Sequence, residues 1–142
     1  ADQVVTDDDE GLSLAKGIFG TERARLAFNA VGGDSALRLM NLLDEGGIHI
    51  TYGAMGRRPL TVPNGLLIFK DLQFRGLWVS RWIENAPPVE VASVYGFLVA
   101  EVAAGRLEQP VDSTFAFEDF TTALSRSIES GRDGKVLFDL RS

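Results

Sequence analysis

The sequence predicts an α/β fold built on a parallel sheet. Arg25-Leu26-Ala27-Phe28-Asn29-Ala30-Val31 is a compact apolar run that stops at Gly32-Gly33. Such a run suits a strand covered on both faces. Apolar residues at helical spacing follow, Ala36, Leu37, Met40 and Leu43, and then a β-branched run, Ile48-His49-Ile50-Thr51-Tyr52. Strand, glycines, helix, glycines, strand is a crossover unit, and crossovers lay their strands parallel.

Each element has its own local reason. Residues 3–6 are β-prone and run into the acidic cluster Asp7-Asp8-Asp9-Glu10. Four acids suit a helix first turn, where the helix dipole welcomes negative charge, or a solvated loop. Residues 11–20 are weakly helical. Asp34-Ser35 reads as an N-cap pair, and Gly46-Gly47 as the glycine stop of the helix between them. Arg57-Arg58-Pro59 and Pro63-Asn64-Gly65 bracket a loop. Residues 66–70 read as a single helical turn, although so short an apolar stretch also suits a strand. Residues 73–80 read as a strand with a glycine, Gly76, in its middle. Pro87-Pro88 opens a long helix toward Gly105, since proline is welcome in a first turn. Its apolar stripe is wide and is interrupted by Glu90 and Glu101, which predicts a buried helix and not a membrane span. Residues 111–117 alternate loosely like a strand, residues 118–130 are amphipathic and helical, and residues 135–140 are the last strand.

Composition narrows the function classes. The chain has 142 residues, 45% hydrophobic and 24% charged, enough to bury a core, so whole-chain disorder is excluded. Fourteen Lys+Arg stand against 20 Asp+Glu, a net charge of −6. That is no footprint for nucleic acid. Cysteine is absent, so the chain holds neither a disulfide framework nor a thiolate metal site, and it suits a reducing compartment. The first residues lack the charged and apolar regions of a signal peptide.

A series of short motifs then carries a resemblance. It comprises Phe28-Asn29-Ala30-Val31-Gly32-Gly33, Tyr52-Gly53-Ala54-Met55, Phe69-Lys70-Asp71-Leu72, Arg75-Gly76-Leu77-Trp78-Val79-Ser80 and Gly134-Lys135-Val136-Leu137. The series resembles the C-terminal half of a medium-chain dehydrogenase/reductase. Within that superfamily it is most similar to the mitochondrial-type 2-enoyl thioester reductases, near the quinone oxidoreductases. The resemblance implies the C-terminal half of a Rossmann-like parallel sheet over residues 1–106. Residues 107–142 would be a strand–helix–strand tail belonging to the catalytic lobe. It also implies that residues 3–5 match the third Rossmann strand. No glycine-rich phosphate fingerprint follows a strand here. The first two strands and the catalytic lobe are therefore expected to lie outside the chain, as in an expressed piece, a proteolytic survivor or a truncated product. The family's catalytic tyrosine is expected in that lobe, so no catalytic residue is assigned, and neither Tyr52 nor Tyr95 matches it.

Ligands of open α/β sheets bind at the carboxyl ends of the strands. The resemblance accordingly assigns Asn29, Tyr52, Gly53, Ala54, Met55, Leu77, Trp78, Val79 and Lys135 to an NADP site. Tyr52 to Met55 would meet ribose and nicotinamide, Leu77 to Val79 would bracket the nicotinamide, and Lys135 would reach the phosphates. Pattern alone reads Gly53, Met55 and Leu77 as turn and packing residues. Arg57 and Arg58 are a solvated loop pair before they are a phosphate clamp. Trp82 suits core or interface packing, with an acyl channel as the sharper alternative. His49, the lone histidine, is a satisfied strand-interior residue before it is a general base. No metal is assigned, and the branch is expected to be zinc-free.

The implied substrate is an enoyl thioester or a quinone, with no nucleic acid or membrane partner. A homodimer is expected through strand 74–80, and the edge at residues 26–30 invites further pairing. A non-catalytic, self-associating remnant is the alternative to an enzyme part. The compartment is a bacterial cytoplasm or the mitochondrial matrix, the cytoplasm being favoured.

Overall fold

The structure is a computed structural model and describes residues 2–141. It divides into two compact units, one ending at Glu84 and the other beginning at Asn85.

The first unit opens with residues 2–6 in irregular backbone. The strand expected at 3–5 does not form, which corrects that reading: a β-prone run becomes a strand only where a neighbouring strand pairs with it. Helix α1, Asp9–Phe19, comes next, capped by Asp8, whose carboxylate accepts the Gly11 N–H at 2.7 Å. The acidic cluster is thus a helix start. Strand β1 is Ala24–Asn29, helix α2 is Gly33–Leu42 and strand β2 is Leu43–Thr51. Helix α3, Asn64–Lys70, leads to strand β3, Gln73–Gly76, and to helix α4, Val79–Asn85.

The three strands form one parallel sheet in the order β1-β2-β3. The pairings Ala27–His49–Phe74 and Asn29–Thr51 run across it. The core lies on one face, where Ala27, Ala36, Met40, Leu43 and Leu72 pack together, with Leu66, Val62 and Phe74 around them. On the other face Leu26 and Phe28 remain exposed.

Four local expectations are corrected. The cap of α2 is Gly32, at φ +86°, and no side chain caps the helix. Asp34 and Ser35 sit inside its first turn. The helix ends before Leu43, not at the glycine pair. Leu43 is wholly buried and already belongs to β2. Gly46-Gly47 serve a bulge instead: Ala24 pairs with Leu43, but Leu26 pairs with Ile48. Gly46 takes φ +69°, a left-handed conformation that glycine enters without steric cost. Residues 66–70 belong to a seven-residue helix and not to a single turn. Finally, the strand expected over 73–80 stops at Gly76. Gly76 is its end and not its middle, and Val79 and Ser80 start α4.

The second unit holds helix α5, Pro88–Ala103, strand β4, Val111–Ala116, helix α6, Phe120–Ile128, and strand β5, Lys135–Asp139. Strands β4 and β5 pair in parallel. Arg126 on α6 grips Asp112 on β4 with two hydrogen bonds of 2.8 and 2.5 Å. Helix α5 buries none of its residues, which corrects the expectation of a buried helix. Its apolar surface is spread around the helix, with Val89, Phe97 and Val99 all exposed. Among the described residues no helix is long and apolar enough to cross a membrane.

Candidate functional site at the strand ends

The carboxyl ends of β1 and β2 are fastened by backbone contacts. Beyond the strands, the Tyr52 N–H donates to Asn29 O at 3.0 Å, Met55 N–H to Ala30 O at 2.9 Å and Gly56 N–H to Val31 O at 2.9 Å. The Leu77 N–H donates to Thr51 O at 2.9 Å and brings the β3 end into line. Such close approach needs Gly53, since a Cβ placed there would lie 2.8 Å from Ala30 O. At Gly32 a Cβ would lie 2.8 Å from Arg58 O, and Gly32 pairs with Arg58 in a parallel bridge. Two glycines therefore set the spacing of the two loops.

Asn29 organises the turn. Its side chain is 1% exposed. Oδ1 accepts the Gly32 N–H at 2.7 Å, and Nδ2 donates to Ser35 Oγ at 3.3 Å. Both ends of the amide are thus engaged within the loop and the first turn of α2. Sequence reading found this residue but not the work its side chain does. The i to i+3 spacing of Asn29 and Gly32 was the available signal, since asparagine commonly bonds backbone a few residues on.

The remaining expected residues divide into groups. Tyr52, Met55, Leu77, Trp78 and Val79 lie past the ends of β2 and β3, and Met55 and Trp78 are the most open at 79% and 69% exposed. Gly53 and Ala54 form the loop between Tyr52 and Met55. Lys135 begins β5 in the second unit, where its N–H donates to Pro110 O at 2.8 Å. Arg58 Nη1 meets Asp34 Oδ2 at 3.1 Å in solvent, and Arg57 has φ +52°. Trp82 lies on α4, where its N–H donates to Trp78 O.

His49 departs from its expected satisfied state. It is wholly buried in β2. Nδ1 lies 3.4 Å from Thr51 Oγ1, and among the described residues Nε2 has no hydrogen-bond partner. The ring tilts against Phe74 with centroids 5.5 Å apart. Burial pulls its pKa below the ordinary histidine value, which favours the neutral ring.

A parallel sheet with its ligand-facing loops fixed by glycine contacts is widespread in cofactor enzymes. What decides the family is a match over residues 1–137 to the model described as "Zinc-binding dehydrogenase". The chain belongs to the zinc-binding dehydrogenase family. Its curated relatives include mitochondrial enoyl-[acyl-carrier-protein] reductases. The one from Caenorhabditis elegans is 38% identical over 141 residues, which is 99% of this chain and 40% of that protein. The one from Rattus norvegicus is 37% identical over 130 residues, or 91% and 35%. The chain thus spans between a third and two fifths of the length of these relatives.

Solved structures agree. The Etr1p/Etr2p heterodimer, a mitochondrial 2-enoyl thioester reductase from Candida tropicalis, superposes with a TM-score of 0.71 at 25% identity, covering 85% of this chain and 35% of that one. A complex of Etr1p with NADP and crotonyl-CoA gives 0.69 at 26%, covering 93% and 37%. An NADPH:quinone reductase from Bacillus thuringiensis gives 0.74 at 17% identity, covering 88% and 38%, and shows the shared fold alone. The partial Rossmann-like architecture of this zinc-binding dehydrogenase chain is therefore shown. The metal in the family's name finds no fit here. Among the described residues no three His, Cys, Asp or Glu side chains group as a metal site. The lone histidine lies inside the sheet.

Proposed function

We propose that this chain is the nicotinamide-handling part of an NADPH-dependent reductase that saturates the carbon–carbon double bond of a 2-enoyl thioester. The observation that carries this reading is the row of open side chains, Tyr52, Met55, Leu77 and Trp78, past strand ends locked by backbone contacts. The similarity to enoyl-[acyl-carrier-protein] reductases, and to a protein solved with NADP and crotonyl-CoA, supplies the substrate class.

The surface fits a flat, amphipathic ring. Met55 and Trp78 offer exposed apolar area. When bound, the cofactor supplies the hydride. The chain's own residues hold and orient: Tyr52, Gly53, Ala54 and Met55 from the β2 loop, and Leu77, Trp78 and Val79 from the β3 loop. Asn29 keeps its place in the site by shaping the turn. No proton donor is assigned among these residues. The division at 106/107 into a partial Rossmann domain and a catalytic-lobe tail belongs to the same reading. So do a homodimer through residues 74–80 and a home in a bacterial cytoplasm or the mitochondrial matrix, the cytoplasm being favoured.

The test is NADPH oxidation with crotonyl-CoA, by the 142 residues alone and by a longer protein that joins them to a catalytic lobe. The longer protein is expected to turn over and the chain alone to be inactive. Enzyme-like turnover by the chain alone, or a longer protein that binds NADPH yet leaves the thioester unreduced, would overturn the reading.

A further inference from the structure

We propose that His49 is an acid-sensitive latch in the β1-β2-β3 sheet, whose protonation loosens the strand ends that carry the site. The proposal stands on placement and does not depend on which cofactor or substrate the site takes. The imidazole is wholly buried at the middle of the sheet, paired across to Ala27 and Phe74. Among the described residues Nε2 has no partner. Three residues on, just past the end of β2, Tyr52 begins the proposed site, held to Asn29 by a backbone hydrogen bond.

Protonation would add a charge and make both ring nitrogens N–H donors, of which Nε2 has no acceptor among the described residues. A buried cation without a partner is costly, so the structure must open to let water reach it. The packed elements offer no rescue. On β1, the amide of Asn29 is committed to Gly32 and Ser35, and Arg25 is exposed. On β3, His49 faces the ring of Phe74, while Gln73 and Arg75 are exposed. On α2, Asp34 pairs with Arg58 and Arg38 with Asp7. On α3, Lys70 Nζ donates to Leu43 O at 2.8 Å, and Asp71 beyond it is exposed. Asp44 and Glu45 on β2 are exposed as well. The lowered pKa agrees, with desolvation as its main cause.

The sign follows from linkage. The folded ring gives up its proton more readily than the unfolded one, so the unfolded chain binds more protons. His49 therefore contributes stability that is full above the unfolded histidine value, about 6.5, and is lost as pH falls toward the folded value. Across that window the unfolding constant rises up to about tenfold per pH unit.

Because His49 is the only histidine, its proton resonances report one site. The experiment is an NMR titration of the ring, beside urea melts of the wild type and of His49→Met from pH 7.5 to 5.5. The ring is expected to stay neutral below 6.5, and wild-type stability to fall with acid while His49→Met stays flat. The protection factors of the Tyr52 and Leu77 amides, which take out the intrinsic slowing of exchange by acid, should fall in acid in the wild type only. A ring that titrates at or above 6.5 would overturn the proposal, even if His49→Met fails to fold. Equal acid sensitivity in the two proteins would do the same.

Discussion

Removing the side chain of Asn29 tests whether the site's frame is built as described. Asn29→Ala deletes the acceptor of the Gly32 N–H and the donor to Ser35 Oγ, at 2.7 and 3.3 Å. The serine oxygen loses only a long donor contact and keeps its own hydroxyl proton free to donate elsewhere, but the Gly32 N–H is fixed by the backbone and lies in a buried turn. Leaving such a donor unpaired costs about 1–3 kcal/mol, and the void left by the carboxamide adds to it. For a unit of this size 1 kcal/mol lowers the melting temperature by roughly 4–8 °C, so a fall of order 10 °C is expected. Asn29→Asp should be milder, because its carboxylate still accepts from Gly32 and the Ser35 hydroxyl can turn to donate. The assay is thermal unfolding of both variants, with amide exchange at Gly32 as the local readout. The reasoning fails if Asn29→Ala melts within about 2 °C of the wild type, or if Asp costs more than Ala.

Gly53→Ala should lose roughly 1–3 kcal/mol, since its Cβ would lie 2.8 Å from Ala30 O. Gly76→Ala, whose Cβ would meet nothing within 4 Å, should stay within about 0.5 kcal/mol in the same urea titration. Met40→Ala empties a wholly buried core position and should cost about 2–5 kcal/mol, read from denaturant midpoints at unchanged slope. In the second unit, the Arg126 guanidinium holds the Asp112 carboxyl down at about 2. That depressed value gives stability present above the unfolded carboxyl value, near 3.8, and lost as pH falls toward 2. Acid melts of Arg126→Met should lack that loss, and an unchanged acid limb would show that the pair does not couple to folding.

The sheet was legible because its evidence is local. Apolar runs at residues 25–31 and 48–52 with a helical repeat between them can only be a crossover. The misread boundaries share one cause, which is that tertiary demand outranked local preference. Ser35 is a good cap residue, yet its hydroxyl receives the amide of Asn29. Gly46-Gly47 look like a helix stop, yet burying Leu43 pulls the strand back over them and leaves them to the bulge. Gly76 reads as mid-strand because Leu77-Trp78-Val79 continues the apolar pattern. Those residues instead lie past the strand end, and Val79 already starts α4. His49 could be placed in a strand by periodicity. Its unpartnered nitrogen could not be foreseen, since satisfaction depends on neighbours far along the chain. Helix α5 was legible as a helix, but an all-round apolar surface does not say what covers it.

The frame of the strand-end loops has a consequence for how such a site changes over time. Amide and carbonyl groups join the 52–56 loop to the 30–31 loop, and Gly53 permits the contact. Ala54 and Met55 add side chains to that frame without holding it together. Substitutions at those two positions can therefore alter what the surface prefers while the ribbon beneath keeps its course. Drift at Gly53 or Asn29 would be punished first through folding. The fold thus separates residues that are free to explore new ligands from residues that are not, and the two kinds alternate within a span of a few positions.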